Sequence, residues 1–279
     1  MKLSTHSRSF SRPPGHRSIT QEKGFVMLKY ILALLMGLSG AQSSMSYADS
    51  SPLTPQQIVA ASDRARGGGL SGIEWKIDIT GEDSKGPLGK HSYLVKASGN
   101  NSLAQTIYPP RNRGARLLQL ERNMWFGKPS LSKPVSISAR QKMIGMASNG
   151  DIASTNYAND YNASVLRSEP VNGEDSHVLE LLAKNRFVTY DRIIYYVSST
   201  RLVPLKAEFY TVSGKLFKTA SFDAYSNLEL DNGQHQLFIK HMTIRDAIEP
   251  SNYSVLDYQD VKLQTFAADT FSIDSLNRP

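Results

Sequence analysis

The 279-residue sequence contains no cysteine. That absence excludes disulfides, a thiol nucleophile and a lipid-modified cysteine behind a leader, so the folded part must be held together by its apolar core alone. There is no G-x-S-x-G nucleophile elbow and no G-x-x-x-x-G-K phosphate loop. Histidine is scarce, and beyond residue 48 only His91, His177, His235 and His241 occur. They show no metal-ligand spacing, and each adjoins or lies in an expected strand. No enzyme, no metal and no cofactor are expected. Long apolar runs are also lacking: "ILALLMGL" at 31–38 is far short of the roughly 20 residues of a membrane span.

That short run is nevertheless informative. Lys23 and Lys29 precede it, and small residues ending in "SYADS" follow, with Ser46 and Ala48 positioned for cleavage after Ala48. Residues 1–48 therefore read as a leader with a secretory signal peptide, and Met27 offers an alternative start just before the apolar run. The leader holds six of the 32 basic residues and one of the 25 acidic ones, which leaves 49–279 at 26 against 24, or +2. The high overall isoelectric point belongs mostly to the leader. A nucleic-acid partner, which requires a basic face, is not expected. The expected location is the periplasm, for one soluble domain spanning 49–279.

Beyond the leader a helix comes first. Thr54 suits an N-cap, Pro55 the first helical position and Gln57 a capping box, while Gly67 to Gly69 end the segment. Ile58, Ala61 and Ala65 form its expected apolar stripe. Strands follow. Ile73, Trp75, Ile77 and Ile79 alternate with polar residues, as do Tyr93, Val95 and Ala97, Leu118 and Leu120, Val135 and Ile137, Leu179 and Leu181, and Leu205, Ala207 and Phe209. Asn172-Gly173, Ser213-Gly214 and Asn232-Gly233 mark turns. With no long helix between strands, the pattern predicts a mainly β (α+β) fold. Its sheet is an antiparallel meander of roughly ten strands, strongly curved because so long a sheet must curl, split or close, with the first helix and residues 141–161 across its concave face.

Residues 141–161, "QKMIGMASNGDIASTNYANDY", break the alternation. "SNGDIAS" reads either as a calcium loop or as an Asn149-Gly150 turn with Asp151 capping a helix from Ile152; acidic ligands are too few for calcium. Arg111, Arg113 and Arg116 in "PPRNRGAR" suit either a surface loop or an anion. Trp75 and Trp125 suit either a core or a cavity wall. Met143, Ile144 and Met146 beside Gly145 suit either core packing or an adaptable apolar surface.

The "RG-x-R" turn at Arg113 to Arg116, "NMWF", "KPVSIS" and "GMASNGD...TNYANDY", continuing through "VLELLAKN" and "PLKAEFYTVSGKLFKTA", give the chain from about residue 72 to 272 a pattern that resembles the LolA-like outer-membrane lipoprotein-sorting proteins. The resemblance implies an open antiparallel half-barrel of about ten to eleven strands with a helical lid over the concave face, whose apolar cavity receives acyl chains during periplasmic transfer. Residues 141–161 would be its lid, and Arg113 or Arg116 a latch or head-group contact. The expected ligand-binding residues are Trp75, Ile77, Ile79, Tyr93, Val95, Leu118, Leu120, Trp125 and Phe209 from the sheet, with Met143, Ile144, Met146, Ile152 and Tyr157 from the lid. The expected function is a monomeric carrier of a lipidated protein or lipid cargo, working between an inner-membrane donor and an outer-membrane acceptor. A lipid or lipoprotein sensor on the same scaffold is the alternative, and a hydrolase lacks a nucleophile constellation.

Overall fold

Thr54 caps helix α1 (Pro55–Arg64) through a complete capping box: its side chain accepts from Gln57 N–H, and Gln57 returns a bond to the Thr54 backbone. The computed structural model describes residues 52–153 and 156–277; the expected leader lies outside them. Of the expected stripe Ile58 and Ala65 are buried and Ala61 is only half-buried, and α1 also buries Val59, Ser62 and Asp63.

The described residues from Pro52 onward form one compact unit, dominated by a fourteen-stranded sheet. In chain order the strands are β1 (Ile73–Asp83), β2 (Gly86–Pro87), β3 (His91–Ser98), β4 (Asn101–Tyr108), β5 (Arg116–Leu120), β6 (Asn123–Gly127) and β7 (Val135–Ile137). After the 141–161 segment come β10 (Tyr161–Val171), β11 (Glu174–Ala183), β12 (Arg192–Ser198), β13 (Pro204–Tyr210), β14 (Leu216–Glu229), β15 (His235–Asp246) and β16 (Tyr253–Leu263). The spatial order is β10 to β16, then β1, then β3 to β7, with β2 appended to β1. Every pairing is antiparallel, and the terminal strands β10 and β7 do not meet, so the sheet is open. Two meanders are thus joined where β1 pairs with β16, Ile77 opposite Tyr258 and Ile79 opposite Leu256.

The sheet is wider than the ten to eleven strands expected. The missed strands are those without clean alternation. In β12, "RIIYYVS", both faces are apolar: Ile193, Tyr195 and Val197 join the main core while Ile194 and Tyr196 join a smaller cluster on the other face. In the edge strand β10 most side chains are exposed, so nothing demands an apolar row. The turn residues behave as expected. Asn172 and Gly173 both take positive φ, 52° and 83°, in the β10–β11 hairpin, the geometry of the tight turns that match strand twist.

One face of the sheet carries the main core, and α1 together with the 141–161 segment covers it. The segment folds as a hairpin of β8 (Lys142–Ile144) and β9 (Ala147–Ser148), a short helix α2 (Asn149–Ala153) and a helical turn α3 (Tyr157–Asp160). On the opposite face Leu103, Leu118 and Leu276 form a separate cluster, where the chain end folds back.

Candidate functional site

Two glycines let the 141–161 segment approach the sheet. Gly145 takes φ +54° at the tip of β8–β9, and a Cβ there would strike Leu88 Cδ1 and Ser254 Oγ. Ser254 on β16 holds that tip, accepting from Met146 N–H (2.8 Å) and donating to Ile144 O (3.2 Å). Gly150 brings α2 against the loop between β11 and β12, where a Cβ would run into Thr189 Oγ1.

The segment lays apolar side chains on the core and fastens them with single polar contacts. Met146, Ile152, Ala153 and Tyr157 are buried in the main cluster, and Met143 and Ile144 pack against it half-buried. Lys218 Nζ donates to Ser148 Oγ (2.8 Å). The Tyr190 hydroxyl donates to both oxygens of Asp151 (2.7 and 2.8 Å), and Ser148 N–H donates to Oδ2 (2.8 Å). Ser102 Oγ donates to Ala153 O (2.8 Å), and Asn156 Nδ2 to Asn100 Oδ1 (2.6 Å). Asp151 is therefore not the cap of a helix from Ile152. The helix starts at Asn149, and the Asp151 carboxylate folds back onto the residue before it.

The end of the segment rests on α1. Ala158 N–H donates to Asp63 Oδ2 (2.7 Å), and Gln56 Nε2 donates to Tyr161 O (3.0 Å) and Ala158 O. Beside them the Arg66 guanidinium, fully buried, lies 4.6 Å from the centre of the Tyr157 ring. Neither Arg66 Nη nor Asp63 Oδ1 has a hydrogen-bond partner among the described residues. Burial pushes the Asp63 carboxyl up to about 7, against the pull of the Ala158 amide and Arg66.

At the hairpin end the cover is incomplete. A cleft of about 760 Å³ opens between β8–β9 and the β13–β14 turn. Met146, Tyr190, Phe217 and the exposed Val212 give it apolar walls; Arg140, Lys142, Lys218, Asp191 and Asp246 supply the charge. The Tyr190 ring is fixed by stacking on Phe209, centroids 4.0 Å apart. Arg140 is committed to Asp191 by a two-pronged pair, both bonds 2.7 Å. Lys218 stands on the covered face in register with Ala220 and Phe222, and is only 5% exposed.

The structure divides the expected ligand-binding residues into two groups. Trp75, Ile77, Ile79, Tyr93, Val95 and Phe209 face the covered core, together with the segment's Met146, Ile152 and Tyr157. Leu118, Leu120 and Trp125 belong instead to the opposite face, packed around Leu276. The strand parity that puts Leu117 and Met124 inward sends these outward. The expected arginine latch is likewise elsewhere. Arg116 lies on that opposite face and donates to Ser275 O (2.5 Å), fixing the chain end. Arg113 is exposed and donates to Ile107 O within its own loop (3.3 Å). Arg66, which sequence reading passed over, is the buried arginine that meets the segment. Of the expected residues only Met146 lines the open cleft. The remaining signal lay in "KLFKTASF", where Lys218 occupies a position that the alternation reserves for an apolar side chain.

The result is an open antiparallel sheet covered on one face by α1 and the 141–161 segment, with a cleft at the segment's margin. Residues 98–278 match a family model whose description reads "Uncharacterized protein". No curated protein matches the chain. Among solved structures, a LolA superfamily protein from Nitrosomonas europaea is 32% identical with a TM-score of 0.72, the match covering 80% of this chain and 99% of that one. An outer-membrane lipoprotein-sorting protein domain from Vibrio parahaemolyticus shares the fold at 19% identity and a TM-score of 0.68, covering 80% and 98%. A DUF1329 family protein from Desulfovibrio piger does so at 19% and 0.66, covering 80% and 100%. The chain belongs to the LolA superfamily.

Proposed function

We propose that this protein is a non-catalytic periplasmic carrier. It holds the acyl chains of a lipidated protein or lipid between the sheet and the 141–161 segment, for transfer from an inner-membrane donor toward an outer-membrane acceptor. The observation that carries the reading is how the segment is attached. Its apolar side chains cover the core face, yet β8 and β9 form a separate two-stranded sheet, and the segment is held by side-chain bonds from Ser254, Lys218, Tyr190 and Ser102. A cover of this kind lifts at moderate cost, and the cleft at the hairpin end gives an acyl chain its point of entry.

The energetics favour such a displaceable cover. Burying an acyl chain gains about 0.8 kcal/mol per methylene, enough to trap a long chain permanently. Displacing Met143, Ile144 and Met146 on loading offsets part of that gain and keeps release possible. The reading is tested with Ile144→Glu and a fluorescent fatty-acyl probe. Ile144 is half-buried at the hairpin, so the variant keeps a cooperative unfolding transition within about 1–2 kcal/mol of the parent but loses probe uptake. Normal uptake by the folded variant, or collapse of the whole sheet, would remove the segment from the proposed role.

A further inference from the structure

Lys218 is a cation without a carboxylate. It is 5% exposed, at the inner end of the cleft, and its one hydrogen-bond acceptor is the uncharged Ser148 Oγ. No ion pair of Lys218 occurs among the described residues, although the charges of Asp151 and Asp246 act on it from beyond ion-pair distance. Asp191 is held by Arg140. Both oxygens of Asp151 accept from Tyr190, one also from Ser148 N–H. Asp246, the cross-strand partner of Lys218, accepts from Ile248 and Glu249 N–H in its own turn (2.8 and 3.1 Å). Lys142, on the rim of the same cleft, adds a second positive charge without an ion-pair partner among the described residues.

A buried ammonium is costly unless an anion meets it. Around this one the walls are apolar: the Tyr190 and Phe217 rings lie 5.5 and 5.8 Å from Nζ, and Met146 lines the same space. Burial pushes the Lys218 pKa below the ordinary lysine value, as does Lys142, while Asp151 and Asp246 act in the opposite sense. An apolar cleft of about 760 Å³ ending at a desolvated cation has the chemistry of a receptor for an amphiphile with an acidic head.

We propose that the cleft binds an amphiphile bearing an anionic head group, carboxylate or phosphate, with the head on Lys218 and Lys142 and the tail against Met146, Tyr190 and Phe217. The inference rests on the acyl-carrier reading and adds the charge of the cargo to it.

The test compares palmitate, hexadecyl phosphate and hexadecanol as competitors of a fluorescent acyl probe, on the parent protein and on Lys218→Met and Lys142→Ala. In the parent the two acids compete on the order of tenfold better than the alcohol, the difference expected of a charge-assisted bond. Lys218→Met abolishes the preference, bringing both acids to the level of hexadecanol measured on the same variant, and Lys142→Ala reduces it in part. Thermal unfolding checks that both variants are folded. A stronger phosphate than carboxylate points to a phospholipid-derived head, and the reverse to a free fatty acid. Equal affinity for acids and alcohol in the parent, or an acid preference that survives Lys218→Met, overturns the head-group assignment and leaves acyl binding standing. Failure of all three compounds to compete overturns both.

Discussion

Gly150 carries more of the segment's placement than its size suggests. Its backbone lies so close to Thr189 that any side chain must displace the threonine or lift α2. Gly150→Ala is therefore expected to cost about 1–3 kcal/mol, typical of overpacking. It should also weaken the Tyr190–Asp151 and Lys218–Ser148 bonds by moving their acceptors. Denaturant unfolding, with the fluorescence of the acyl probe in parallel, measures both effects. The expected pattern is a less stable protein that takes up probe faster. A variant as stable as the parent would mean that the loop bearing Thr189 yields easily. Lys218 and Arg66 teach a second lesson at this scale. Both are long cations at positions where a neighbouring residue would lead one to expect an apolar side chain, and both proved to be where the segment meets the rest of the protein.

The 141–161 segment is the element on which the functional reading depends. Hydrogen exchange followed by mass spectrometry is expected to show its amides exchanging faster than those of β1, β15 and β16, because it is joined by isolated bonds whereas those strands are paired on both sides. Addition of an acyl ligand should accelerate exchange in β8 and β9 further and leave β1 unchanged. Uniform protection across segment and sheet would argue for a fixed plug. Its irregular composition marked this element out in the sequence, as did the capping residues of α1 and the alternation in β1 and β3. What could not be read was which parity faces the core in β5, where Leu117 and Leu118 are both apolar and take opposite faces. Nor does local sequence reveal that the chain end returns to cover Leu118 and Trp125, since that contact joins residues far apart in the chain.

For the molecule as a whole, two buried carboxyls contribute a fall of stability with rising pH. Burial lifts Asp63 to about 7, and it lifts Asp160, against Arg122 and Lys184, to about 6. Both bind protons more tightly in the folded chain than in the unfolded one, where the value is about 4. Between roughly pH 4 and 7 their contribution therefore falls as pH rises, while His91, lowered by burial and Arg111, contributes in the opposite sense. The test is accordingly a difference: melting temperatures across that window should lose part of any decline toward neutrality in Asp63→Asn. A variant profile parallel to the parent's would contradict the burial of Asp63.

The seam between β1 and β16 has a consequence for how the chain comes to be folded at all. Each meander assembles from neighbours in sequence, but the strand that joins them is the last of the sheet to be synthesised. Until Tyr253–Leu263 is present, β1 and β15 are long unpaired edges, and such edges invite pairing with other chains. Completion of synthesis is thus the event that protects the protein from aggregation, and a product ending before Tyr253 should accumulate as insoluble material even though most of its strands have their partners.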